Sequence, residues 1–276
     1  MSRKAGLALF LLMAALFVLA NRGAYQSYFQ DDELDNISWA PHVPLSVFGE
    51  KLLTPRYQPQ NFRPAGHFYF HETGKHFGLD FPKYVVPIHL LHFLNVWLVW
   101  MLARKLGASP FAAGAGTLFF AFHMALFDAY WKPMYVFDVL CATFCLASLL
   151  LYAHGRWVLS LAAFWLAYKS KELAVMLPVV LACYEYWFGK KRWQVLVPFF
   201  AVSLSFGIQG LLLNPNRDND YTFRFTPHAL RTTSTFYAGR VFLAPYGGFL
   251  LVLVPLVWRD RRVWLGLALL LLFFFP

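Results

Sequence analysis

Gln30-Asp31-Asp32-Glu33-Leu34-Asp35 places four carboxylates in five residues. Carboxylates packed so densely suit one of two tasks, taking a proton from an acceptor hydroxyl or holding a divalent cation. Asp128, Asp138 and Glu172 add acids from other parts of the chain, and Arg63, Lys132, Lys169, Lys171, Arg231 and Arg240 supply cations suited to a phosphate. A base beside phosphate-binding cations is the equipment needed to move a group off a lipid phosphate. The acceptor loses a proton while the leaving phosphate gains charge, and both changes need a partner already in place.

Each of these residues also has a plain structural reading. Asp31, Asp32 and Glu33 suit the N-terminus of a surface helix, where negative charge is favoured. Asp128 suits a wet helix exit, and Asp138, inside Val136-Phe137-Asp138-Val139-Leu140, suits a cation partner one to two turns below the interface. Lys169 and Lys171 are long enough to reach headgroups, Glu172 fits a helix N-terminus, Arg63 fits a lipid anchor, and Arg231 and Arg240 fit an ordinary basic loop. His67 and His71 stand at i, i+4, but no third ligand of defined spacing accompanies them, so zinc is not expected. His89, His92 and Asn95 read as hydrogen bonds between helices. The chain has no Gly-rich phosphate cradle and no nucleophile elbow.

The elements that must position these side chains are apolar. The 276 residues are 59% hydrophobic and 20% aromatic, with only 14% charged and a mean hydropathy of +0.49. So much apolar surface implies a polytopic membrane protein, and backbone groups in lipid must be bonded within their own segment, which favours helices. The expected fold is therefore all-α, one integral membrane domain over 1–276 with about eight to nine spans. The net charge of +10 is topological. Arg3-Lys4, Arg104-Lys105, Arg156, Lys190-Lys191-Arg192, Arg259 and Arg261-Arg262 recur at every second turn, as cytoplasmic turns require, and nucleic acid is not an expected partner. Only Glu185 and Asp260 accompany them, so nearly all the other acids face the opposite side. Cys141, Cys145 and Cys183 lie in apolar runs and imply no disulfides.

In chain order, Leu7 to Ala20 forms the first apolar run, and its last residues also suit a signal-peptide cleavage site. Residues 22–83 are expected to form a long extracytoplasmic loop with short helices on the membrane surface. Spans are then expected over Tyr84–Ala103, Phe111–Phe127, Met134–Tyr152, Trp157–Tyr168, Leu173–Phe188 and Leu196–Leu213. Residues 214–235 are expected as a second extracytoplasmic loop, Phe236–Trp258 as the next span, and Val263–Phe275 as a last run too short to cross. This topology brings Asp31, Asp32, Asp128, Asp138 and Glu172 to one outer face.

The order of motifs resembles the glycosyltransferase C superfamily, GT-C, in its protein O-mannosyltransferase-like branch, with the lipid A aminoarabinose transferases as relatives. The resemblance runs through Tyr28-Phe29-Gln30-Asp31-Asp32, Asn61-Phe62-Arg63-Pro64, Phe77-Gly78-Leu79, and Tyr84 with Leu91-His92-Phe93-Leu94-Asn95. It continues in Phe137-Asp138-Val139-Leu140 and in Ser170-Lys171-Glu172 followed by Pro178, covering roughly residues 25–190. It implies an inverting enzyme that takes a sugar from a polyprenyl-phosphate carrier and passes it to a protein or glycolipid acceptor on the extracytoplasmic face. In that family the first-loop acids supply the base, here Asp31 or Asp32, with Asp31 favoured. Asp138 would place acceptor or sugar, and Lys171 with Arg63 would meet the carrier phosphate. Glu33 is an extra acid that blurs which pair matches the motif, and the family's further helices and soluble C-terminal domain are not seen. A bacterial inner membrane is the expected location, and a divalent cation at the acids stays open. The alternatives are a transporter or flippase, whose internal repeats are not evident here, and a non-catalytic scaffold.

Overall fold

The computed structural model describes residues 3–56, 58, 62–213, 226–243 and 254–273. Among them every regular element is helical. Helices α1 (Arg3–Ala20), α2 (Asp31–Trp39), α3 (Leu45–Leu53) and α4 (Pro64–Phe77) are followed by α5 (Phe81–Lys105), α6 (Pro110–Ala121), α7 (Phe127–Trp131) and α8 (Val136–Ala153). Then come α9 (Trp157–Ser170), α10 (Leu177–Trp187), α11 (Val197–Leu213), α12 (Pro227–Val241), α13 (Val254–Val257) and α14 (Arg261–Phe273). Three stretches are long and apolar enough to cross a membrane, Phe81–Lys105, Pro133–Ala153 and Trp193–Leu213. A fourth exists if Pro110–Ala121 and Met124–Trp131, bent by 41° at their junction, count as one.

α8 is the centre of the body, packed chiefly against α9 and α5. Gly155, at φ 79°, turns the chain between α8 and α9, a conformation that costs glycine little. Small residues then let the two backbones approach. The Ser148 and Ser160 hydroxyls are fully buried, and each donates to the other's carbonyl at 2.8 Å. The core built on this pair takes in Leu149, Tyr152, Phe164, Leu177, Leu181 and Phe199. Polar side chains on α5 tie it to its neighbours as expected. His89 Nδ1 meets the Tyr25 hydroxyl at 2.7 Å, His92 Nε2 meets the Ala121 carbonyl at 3.1 Å, and Asn95 Nδ2 donates to the Val139 carbonyl at 3.3 Å. Phe17 of α1 is fully buried against His89, Phe93 and Tyr130, so α1 is part of the packed body.

The first loop is a folded layer. α2, α4, α5 and the start of α8 meet around Ala40, Phe70, Tyr84, Val136 and Phe137. The Tyr69 hydroxyl then ties α4 to α5 by donating to the Tyr84 carbonyl at 2.6 Å, and the Tyr84 hydroxyl satisfies the Gly78 carbonyl at the end of α4 at 2.7 Å.

Several expected boundaries change. The run Phe111–Phe127 is divided between α6 and α7, and helix begins at Trp193, three residues before the expected start. The second loop expected over 214–235 is helical from Pro227 onward. Polar content suggested a loop there, yet Thr226 and Pro227 form a helix start, with the Thr226 hydroxyl accepting from Ala229 N at 3.1 Å. Residues 214–225, 244–253 within the expected span Phe236–Trp258, and 274–276 lie outside the described residues, as does Asn61.

Candidate active site

Two breaks in regular helix present the charged groups. α9 ends at Ser170, and Lys171 is extended, with φ −160° and ψ 145°, before a 3-10 turn over Glu172–Met176 leads into α10. A kink at that point displays Lys171 and Glu172 on adjoining positions. Opposite it, Lys132-Pro133 interrupts the path from α7 into α8, so that Asp138 falls in the first turn of α8. A carboxylate is favoured there by the helix dipole. Asp138 is about one-third exposed, at 36%, so its carboxylate is open to a partner rather than sealed in the helix packing.

These breaks close two ion pairs. Lys171 Nζ donates to Asp138 Oδ1 at 2.6 Å. Arg63, the N-cap of α4, forks onto Glu172, with Nε at 3.0 and 3.1 Å from the two carboxylate oxygens and Nη2 at 2.9 Å from Oε2. Phe137 lies beneath, its ring centroid 5.5 Å from the Arg63 guanidinium carbon. Gly66 makes this approach possible, because a Cβ there would collide with the Phe137 ring. His67 orients Arg63 from behind by accepting its backbone N–H at 2.9 Å. Packed among Trp39, Phe62 and Phe137, the imidazole is pushed down to about 3 by burial and by the Arg63 charge.

The acidic run divides into distinct roles. Glu33 turns inward, only 1% exposed. Its Oε2 accepts the Gln30 N–H at 2.6 Å and Oε1 accepts that of Met134 at 3.4 Å, so it closes the N-terminus of α2 and ties it to the segment before α8. Burial raises its carboxyl above the ordinary glutamate value. Glu33 is thus a structural acid, which leaves Asp31 and Asp32 as the pair that opens α2. Asp32 is exposed; the side chain of Asp31 lies outside the described residues. Asp128 pairs with Lys132 at 3.2 Å, and the Asp128 carboxylate raises that ammonium.

Tyr135 is the residue these groups share. Asp128, Lys132, Asp138 and Asp32 all lie within electrostatic reach of its phenol. Neither its type nor its place beside an apolar run marks it in the sequence; the signal available was its position between Asp128 and Asp138 in a Lys-Pro break.

Other expected site residues do not join these pairs. Lys169 is 3% exposed, and its Nζ donates to the Thr54 carbonyl at 2.7 Å while lying 5.2 and 5.1 Å from the Trp165 and Phe206 ring centroids. With the Trp165 indole donating to the Leu52 carbonyl at 2.7 Å and Gln209 to that of Pro55 at 3.1 Å, it pins residues 52–55 to α9 and α11. Arg231 and Arg240 are exposed on α12 and form no ion pair among the described residues; Arg240 lies over Phe236 at 5.2 Å. Among the described residues no three His, Cys, Asp or Glu side chains gather as metal ligands. His71 Nδ1 meets the Ala40 carbonyl at 3.0 Å, whereas His67 Nδ1 is taken by the Arg63 N–H. No family model, curated protein or solved structure matches this chain.

Proposed function

We propose that this chain is an integral membrane glycosyltransferase of GT-C type, moving a sugar from a polyprenyl-phosphate carrier to a protein or glycolipid acceptor at the extracytoplasmic face of a bacterial inner membrane, with about eight to nine spans. The observation that carries the reading is the convergence of Asp138–Lys171 and Glu172–Arg63, joined by the consecutive Lys171 and Glu172 and by Arg63 lying over Phe137 next to Asp138, with Asp32 and Lys132 contributed from the same end. Four separate segments supply these groups.

In this reading Asp31 or Asp32 takes the proton of the acceptor hydroxyl as its oxygen attacks the anomeric carbon. The bond from that carbon to the carrier phosphate breaks on the opposite face, which inverts the configuration. The phosphate leaves with the electron pair and one more negative charge, which Lys171 and Arg63 meet. Lys171 has three ammonium N–H donors and one of them is hydrogen-bonded to Asp138, so two remain to turn toward a phosphate. Asp138 and Glu172 keep the cations in place before the carrier arrives, so little reorganisation is needed during the step.

Transfer of labelled sugar from a panel of synthetic polyprenyl-phosphate sugars, with the purified chain in lipid, tests this directly. Asp31→Asn or Asp32→Asn should abolish turnover, on the order of 10²–10⁴-fold for loss of a general base, while donor binding persists. Lys171→Ala should weaken donor binding as well. Full activity in both aspartate variants would remove the base assignment, and failure to bind any donor would point to a transporter or scaffold.

A further inference from the structure

The strongest feature outside this site lies at the opposite end of the bundle. A groove of about 470 Å³ runs between α10 and α11, with Trp193, Val197, Phe200 and Leu204 along one wall and Ala182 on the other. Those wall residues follow a spacing of four, three and four, so they form one stripe of a helix. From Trp193 to Leu204 the stripe is about 16 Å long at helical rise, close to half of a bilayer's hydrocarbon thickness. Trp193, Val197 and Leu204 are 45%, 64% and 61% exposed, so within the described body the groove is open to lipid.

The mouth of the groove is cationic. Lys190 and Lys191 are exposed on the turn that precedes Trp193. That turn has a fixed shape. Glu185, fully buried, accepts the Tyr152 hydroxyl at 2.9 Å, the Arg192 N–H at 3.1 Å and the Arg192 guanidinium at 3.4 Å. Lys191 is held at φ 58°, an unusual value for a side chain with a Cβ. The acid nearest the turn is therefore already engaged inside, and the two lysines point their charge outward without an acidic partner among the described residues. Arg261 donates to the Trp187 carbonyl at 3.3 Å, which brings a further cation to the same end.

We propose that this groove binds one anionic phospholipid of the cytoplasmic leaflet, its headgroup on Lys190 and Lys191 and one acyl chain along the α11 stripe. Charge complementarity sets the class of headgroup. The length of the stripe confines the chain to one leaflet, since from the basic turn it ends near mid-membrane, and the basic turn itself marks that leaflet as the cytoplasmic one. Trp193 sits at the headgroup level, where its amphipathic ring belongs. The site is separate from the transferase reading, because no residue of the outer ion pairs takes part.

Native mass spectrometry of the full chain in neutral detergent, with dioleoyl phosphatidylglycerol and dioleoyl phosphatidylcholine offered at equal concentration, reads the site without any assay of transfer. One phosphatidylglycerol should be retained where phosphatidylcholine is stripped. Lys190→Gln with Lys191→Gln should reduce its occupancy about tenfold, and Ala201→Trp, placed in the groove lining, should displace it with the lysines intact. Should that variant fail to fold, Leu204→Gln reads the same loss from the exposed far end. Equal retention of both lipids, occupancy unchanged in the lysine and groove variants, or displacement of phosphatidylglycerol by a polyprenyl phosphate would each overturn the assignment.

Discussion

His67 shows how a single side chain can report on the layer built from the first loop. Burial and the Arg63 charge depress its folded value to about 3, against about 6.5 for the free ring. The depressed value fixes the sign. Its stabilising contribution is complete above about pH 6.5 and is lost as pH falls toward 3, by up to about 1.4 kcal/mol per pH unit. The melting temperature of the wild-type protein in detergent should therefore fall more steeply between pH 7 and pH 4 than that of His67→Gln. Parallel curves would show that the ring is already hydrated. Glu33 acts in the opposite sense. Its raised carboxyl favours folding below the ordinary glutamate value and loses that contribution as pH rises through the folded one. Neither behaviour was legible in the sequence, where Glu33 is one more acid in a run and His67 is half of a metal-like spacing; only the backbone N–H groups that Glu33 meets and the aromatic rings around His67 set them apart.

Helix α4 carries Arg63 to its partner, and it lies close enough to α8 that Gly66 faces the Phe137 ring. Gly66→Ala should push the ring aside and separate the Arg63–Glu172 and Asp138–Lys171 pairs, costing about 1–3 kcal/mol by overpacking. The expected result is a lower melting temperature together with weaker carrier binding; a variant with unchanged melting and binding would show that α4 can shift without disturbing the site. The membrane-type helices α5, α8 and α11 were legible, because apolar runs near spanning length identify themselves. So were the bonds of His89, His92 and Asn95, since polar groups on an apolar helix must find partners. The break at Lys171 was only half legible. Charge placed Lys171 and Glu172 near an interface, but the extended residue between α9 and the following turn depends on how α9 meets α8. Helix α12 was missed for a different reason. Its polar composition outweighed the Thr-Pro start signal, and its Arg231 was assigned to a loop that the structure replaces with helix.

Across the whole molecule, charge is divided between two ends. Lys132, Asp128, Asp138 and Arg63 belong to one, and Lys190, Lys191 and Arg192 to the other. With Cys183 replaced by alanine and Cys141 and Cys145 left buried, an impermeant maleimide applied to intact spheroplasts should label Lys132→Cys from outside. Lys190→Cys should react only after permeabilisation. The reverse pattern would invert the topology and move the ion pairs to the cytoplasm. The anchoring of residues 52–55 adds a dimension of time. Their carbonyls wait for Trp165, Lys169 and Gln209, donors 113, 115 and 154 positions later in the chain. At a synthesis rate of about 5–20 residues per second, that interval is about 6 to 30 s. A nascent chain thus carries residues 52–55 unfastened for several seconds after they have left the ribosome, and a translational pause before Trp165 would prolong their exposure to proteases.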